Sequence, residues 1–175
     1  MIINWDEWTA FEDAPGRPLA EVDRATAQRY FATLMAARRA RRDHLLALLA
    51  LNGVQISTDN AGLQRLNDWY RAHVQGSEPD LLEDRWYAVG LDVGLFLGEA
   101  MIERAPTLEW RVFTGVAHDV SYQRPVVMGF ERARNRQYNV DPEFLVSIHG
   151  RRIVAGDDEP ADYFVALVDA AVARR

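Results

Sequence analysis

The sequence predicts a mostly helical α+β fold, and three features carry that expectation. Residues 19–52 contain neither Pro nor Gly and are rich in Ala, Leu and Arg, which favour helix. After Ala105-Pro106 the apolar spacing switches to alternation, which marks strands. The run Asn139-Val140-Asp141-Pro142 then signals a fresh helix, with Asp141 able to cap and Pro142 at the first helical position, where its missing N–H costs nothing. A chain of 175 residues, 49% hydrophobic and 26% charged, fits one globular domain over 1–175, with 1–18 as a docking arm.

The arm carries Trp5, Trp8 and Phe11 at three-residue spacing, interleaved with Asp6, Glu7, Glu12 and Asp13, and Pro15-Gly16-Arg17-Pro18 ends it. In a helical turn this spacing puts the three rings on one side. They dock on the body or bind a partner, and docking hides apolar surface that would otherwise promote aggregation.

A long helix is expected from Leu19 to Asn52, stopped by Gly53, with Tyr30, Phe31, Leu34, Met35, Leu45, Leu48 and Leu49 as its apolar stripe. A second begins at Ser57-Thr58-Asp59-Asn60 and runs to about Val74, with Leu63, Leu66, Trp69 and Tyr70 inward; Gly76-Ser77-Glu78-Pro79 is its exit loop. The third, about Asp80 to Arg104, is apolar on nearly every side, so it becomes the central helix wrapped by the others. A small antiparallel hairpin follows within 107–130, from Leu108, Trp110 and Val112 to Pro125-Val126-Val127-Met128-Gly129-Phe130. The helix after Asp141 turns Phe144, Leu145 and Ile148 to the core. A second capping signal, Gly156-Asp157-Asp158-Glu159-Pro160, opens a terminal helix bearing Tyr163, Phe164, Leu167 and Val168.

Composition removes several chemistries. No Cys occurs, which excludes disulfides, thiolate nucleophiles and zinc–thiolate sites; all 20 basic residues are Arg, which excludes a P-loop lysine and a Schiff base. The Arg usage fits a GC-rich, bacterial coding sequence. A net charge of −6 argues against nucleic acid as the main partner, no run is long enough to span a bilayer, and Met1 to Glu7 lacks a leader's basic and apolar regions. A cytoplasmic protein without cofactor is the expectation.

Gly90, Gly94 and Gly98 line one face of the central helix at four-residue spacing. Each costs about 1 kcal/mol relative to Ala, so something must offset the loss: a helix packed close to the backbone, or a groove for a flat ligand. Asp92, Glu99 and Glu103 share a face of that helix with Arg85. Asp92, between Leu91 and Val93, must find an arginine, accept hydrogen bonds or take up a proton. A structural ion pair satisfies it; a general acid or metal ligand is the alternative, although the Glu-x-x-His pattern of di-metal carboxylate sites is missing. His118-Asp119 lies near Ser121 and Tyr122 in the hairpin loop, where polar turn chemistry accounts for it without a catalytic triad. Two arginine groups remain, Arg38, Arg39, Arg41 and Arg42 in mid-helix and Arg132, Arg134 and Arg136 along a stretch expected to be extended. Either forms a solvated face or grips an anionic partner. Charge is segregated, because the arm's four acids have no base among them whereas 131–152 is net positive.

The succession Val93-Gly94-Leu95-Phe96-Leu97-Gly98-Glu99, the Trp110 strand, Pro125 to Phe130 and Asp141-Pro142 resembles small bacterial proteins of unknown function that carry a "FLGE" helix before a hairpin and a closing helix. The likeness covers about residues 86–155 and brings no catalytic motif. Similar small acidic proteins neutralise toxins, so the resemblance implies an immunity-type or adaptor protein. The expected function is non-enzymatic binding of another protein, with Trp5, Trp8, Arg132, Arg134 and Arg136 at the contact. The alternative is an enzyme or small-ligand binder using Asp92, Glu99 and His118.

Overall fold

The computed structural model describes residues 2–6 and 8–175, leaving Met1 and Glu7 of the arm outside the described residues. The elements in order are α1 (Arg24–Leu51), α2 (Asn60–His73), β1 (Gly76–Glu78), β2 (Leu81–Leu82), α3 (Asp84–Arg104), β3 (Glu109–Val112), β4 (Pro125–Met128), α4 (Pro142–Ala155) and α5 (Tyr163–Ala173). The fold is mostly helical α+β, as its sequence pattern implies, with two separate antiparallel strand pairs.

α3 is the centre. Every residue from Val89 to Gly98 is buried, and the others pack around it. Its inner residues Trp86, Val93, Phe96 and Leu97 meet Leu45 and Leu49 of α1, Leu63 and Leu66 of α2, Val146 of α4 and Phe164 of α5 in one cluster. A satellite cluster joins Leu34 and Tyr30 to Leu91, Leu95 and Leu19.

The expected 19–52 helix is interrupted. Leu19–Glu21 is a short 3-10 turn, the chain extends through Val22 and Asp23, and α1 starts at Arg24 with Asp23 accepting from the Thr26 N–H at 2.9 Å. An aspartate that can cap outweighs weak helix propensity at this boundary. The supposed exit loop at Gly76–Pro79 forms instead β1, which pairs with β2 across a turn where Asp80 has φ 68°; consequently α3 begins at Asp84, not Asp80. The hairpin is in place, with Trp110 opposite Val127 and Val112 opposite Pro125.

α4 starts as expected, its Asp141 carboxylate accepting from the Phe144 N–H at 3.0 Å. Its core-facing side differs: Val146, His149 and Gly150 are buried, while Phe144, Leu145 and Ile148 are half-buried. The second capping signal is displaced too, since α5 starts at Tyr163, its Asp162 makes no side-chain cap, and Glu159 points into the protein.

The glycine face is closed by α4 and Trp110. A Cβ at Gly94 would lie 2.7 Å from both N and Cα of Glu143, one at Gly98 would collide with the Trp110 ring, and only Gly90 has ordinary contacts, 3.5 Å to Ser147. A void of about 10 Å³ remains at Gly94 beside Leu34, Leu91, Trp110 and Glu143. That is about the room of one water, so the groove for a flat ligand is absent and close backbone packing offsets the glycine cost.

Candidate functional site

Asp92 is completely buried on α3 and faces α1. Arg41 grips it with both edges of its guanidinium, Nε to Oδ1 at 2.8 Å and Nη2 to Oδ2 at 2.6 Å. The Trp8 indole N–H adds a third donor to Oδ2 at 3.0 Å. Burial pushes the Asp92 carboxyl above the usual carboxylate range, and the hydrogen bonds and charge of Arg41 pull it back. Three N–H donors on two oxygens suit an ionised, acceptor-only carboxylate. The pairing is therefore structural, with its cation supplied by α1 and not by Arg85, which stacks instead on Trp5 with its guanidinium carbon 4.7 Å from the ring centre.

The arm lies over this pair. It forms a bend, not a helical turn: the Trp8 N–H donates to the Trp5 carbonyl at 2.8 Å, and Asp6 has φ 33°. Trp5 meets Trp86 edge-on at 5.7 Å, Trp8 lies 5.5 Å from Trp5, and Phe11 packs on Tyr30 at 6.2 Å. Asn4 and Asn52 exchange two hydrogen bonds of 2.9 Å, tying the arm to the end of α1. Trp5 and Trp8 thus spend their rings on docking. Between arm and α1 is an open cleft of about 170 Å³ lined by Trp5, Trp8, His44 and Leu51. Drug-sized ligand sites run from about 300 Å³ upward.

Glu99 is also engaged, accepting from the Trp110 indole at 3.0 Å and pairing with Arg38 at 3.3 Å, while Glu103 is exposed. Both carboxylates are thus hydrogen-bonded and paired with an arginine of α1. His118 is exposed in the hairpin loop, where Asp119 accepts from the Ser121 N–H at 2.8 Å, a local turn bond. Among the described residues no three acidic or histidine side chains converge as a metal ion would need.

Arg132, Arg134 and Arg136 are exposed on a turn-rich segment, not an extended one, and no carboxylate pairs with them among the described residues. This segment touches the hairpin loop, since a Cβ at Gly115 would be 2.9 Å from the Gln137 side-chain oxygen. That loop holds two large exposed apolar residues, Val116 at 54% and Val120 at 65%. The C-terminus adds charge: the Arg132 N–H donates to the Arg174 carbonyl at 3.1 Å, and the Arg174 guanidinium lies over Tyr138.

Sequence reasoning missed the roles of four residues that the fold uses, Arg41, Arg124, His149 and Glu159. Arg41 occupies the apolar stripe of α1, seven residues after Leu34 and four before Leu45, and an arginine at a core position is the signal. Arg124 pairs with the capping Asp141 and, at 3.4 Å, with Glu143. Burial raises the Glu143 carboxyl, with Arg124 opposing the shift. His149 and Glu159 meet inside the protein at 2.8 Å.

No helix among the described residues is long and apolar enough to cross a membrane. No family model matches the chain, and neither the curated proteins nor the solved structures include one that matches it.

Proposed function

We propose that this is a non-enzymatic binding protein of adaptor or immunity type, and that loops 113–124 and 129–139 form its contact surface. The carrying observation is that the loop bearing Val116 and Val120, both more than half exposed, meets at Gly115 and Gln137 the segment bearing three arginines that no carboxylate of the described residues engages. Exposed branched side chains rimmed by charge mark interaction surfaces, because their burial on a partner removes apolar area from water. Arginine guanidinium forks favour carboxylates. The occupant this chemistry fits is an acidic protein segment with apolar side chains of its own. The chain as a whole, at net −6, disfavours a nucleic acid.

Arg132, Arg134 and Arg136 steer encounter, and Val116 and Val120 hold the complex. Photo-crosslinking from position 120 in the native host identifies the partner, and its association is then followed at two salt concentrations. Reversing the three arginines to Glu should slow association at least tenfold and weaken its salt dependence, with the melting temperature unchanged. Val116→Asp with Val120→Asp should accelerate dissociation. Unchanged rates in both variants would overturn the assignment of this surface.

A further inference from the structure

We propose that His149 and Glu159 form a pH-sensitive latch that fastens the 157–162 connection to α4, and that protonating the buried imidazole releases it. His149 is fully buried on α4, and its Nδ1 lies 2.8 Å from a Glu159 carboxylate oxygen. Its other nitrogen, Nε2, is buried with no hydrogen-bond partner. Two tyrosines flank the ring, Tyr163 of α5 stacked at 4.1 Å and Tyr70 of α2 at 6.3 Å.

This geometry selects a tautomer. The neutral ring carrying its proton on Nδ1 donates to Glu159 and leaves Nε2 as a bare lone pair, the cheaper group to bury unpaired. A second proton would sit on Nε2, where no acceptor waits. The groups facing the ring are Glu159, which favours the cation, and Arg152 of α4 and Arg71 of α2, which oppose it; Tyr163 and Tyr70 complete the set. Burial is the largest influence and holds the imidazole below the ordinary histidine range.

What opens is determined by what else holds the connection. Arg152 reaches Glu159 at 3.4 Å, Arg71 donates to the carbonyls of Glu159 and Pro160, and Asn67 donates to that of Ala161. These are polar ties on a short segment, and the imidazole gains solvent for Nε2 when they part. Beyond it, α5 is anchored in the core by Phe164, Val168 and Ala171, so local opening is confined to the connection, which has only these ties and the His149–Glu159 bond.

The sign follows from linkage. A histidine with a lowered folded value is neutral in both states well above its ordinary value of about 6.5, so the latch is intact there. As pH falls below that value the opened state takes up the proton first, and the opening equilibrium rises by a factor approaching ten per pH unit.

Amide hydrogen exchange of the whole protein between pH 7.5 and 5.5, corrected for intrinsic rates, tests this. The expected result is faster opening over 157–162 at pH 5.5, by several-fold to tenfold, with α1 and α2 amides as the internal control. In His149→Asn, whose amide nitrogen takes the place of Nδ1 and donates to Glu159 without titrating, that increase should vanish. Equal acceleration in wild type and variant, or none in wild type, would overturn the proposal. If the variant does not fold, imidazole ¹⁵N shifts of the wild type decide: a neutral Nδ1–H form persisting in the closed state below pH 6 supports the latch, and an imidazolium in the closed state at pH 6.5 overturns it.

Discussion

Arg41–Asp92 and His149–Glu159 are both buried acid–base pairs, but they leave different things unpaired. Around Asp92 the two carboxylate oxygens receive three N–H donors from two elements, α1 and the arm. Around His149 one nitrogen is bonded and the other is orphaned. The first arrangement keeps a full charge inside the protein because each carboxylate oxygen has at least one donor; the second keeps its histidine neutral because one more proton would be stranded. A satisfied pair gives rigidity, and a half-satisfied one gives sensitivity to pH.

The largest expected effect comes from breaking the satisfied pair. Asp92→Ala leaves the Arg41 charge buried without a counterion and should cost about 3–5 kcal/mol, read as a lower denaturant midpoint. Replacing both partners, Asp92→Leu with Arg41→Met, should recover most of that loss, because uncompensated charge dominates the single variant. A double variant as unstable as the single one would show that the packing of Arg41, not its charge, matters.

Next is the glycine face that positions Asp92. Gly94→Leu drives a side chain into the backbone of Glu143 and should destabilise by about 2–3 kcal/mol through overpacking; an unchanged melting temperature would refute the close contact of α3 with α4. Trp8→Phe keeps the ring and removes only the third donor to Asp92. A loss of about 1–2 kcal/mol is expected, as for a hydrogen bond to a charged group, and no loss would make the arm dispensable to the pair.

The smallest effect sharpens the contrast from the other side. Because the His149 value is lowered on folding, its contribution to stability should be fully present above pH 6.5 and fall by about 1.4 kcal/mol per pH unit at most as the pH drops below it, measured by urea unfolding at constant ionic strength. His149→Asn should flatten that slope, whereas the arginine triple reversal should leave it unaltered.

Much of the architecture was legible before any coordinates. The central helix is readable because a segment apolar all round has no solvent face, the Asp141-Pro142 start because capping is local, and the hairpin because alternation has a period of two. Local signals failed where two compete. The run from Leu19 without Pro or Gly hid the Asp23 cap, and the signal at Asp157–Pro160 caps nothing because α5 starts only at Tyr163.

By itself the sequence determined that Asp92 must be neutralised, that glycines at four-residue spacing need a close neighbour, and that only arginine and histidine could supply a cation. Which arginine answers Asp92 was decided by tertiary structure, since Arg41 lies 51 positions away and no periodicity links two helices. The same holds for the junction of the Val116–Val120 loop with the arginine segment, for Trp110 filling the Gly98 face and for the stranded Nε2 of His149. Periodicity and capping act over a few residues of chain. Desolvation and pairing act over a few ångströms of space, and only the folded chain says which residues share that space.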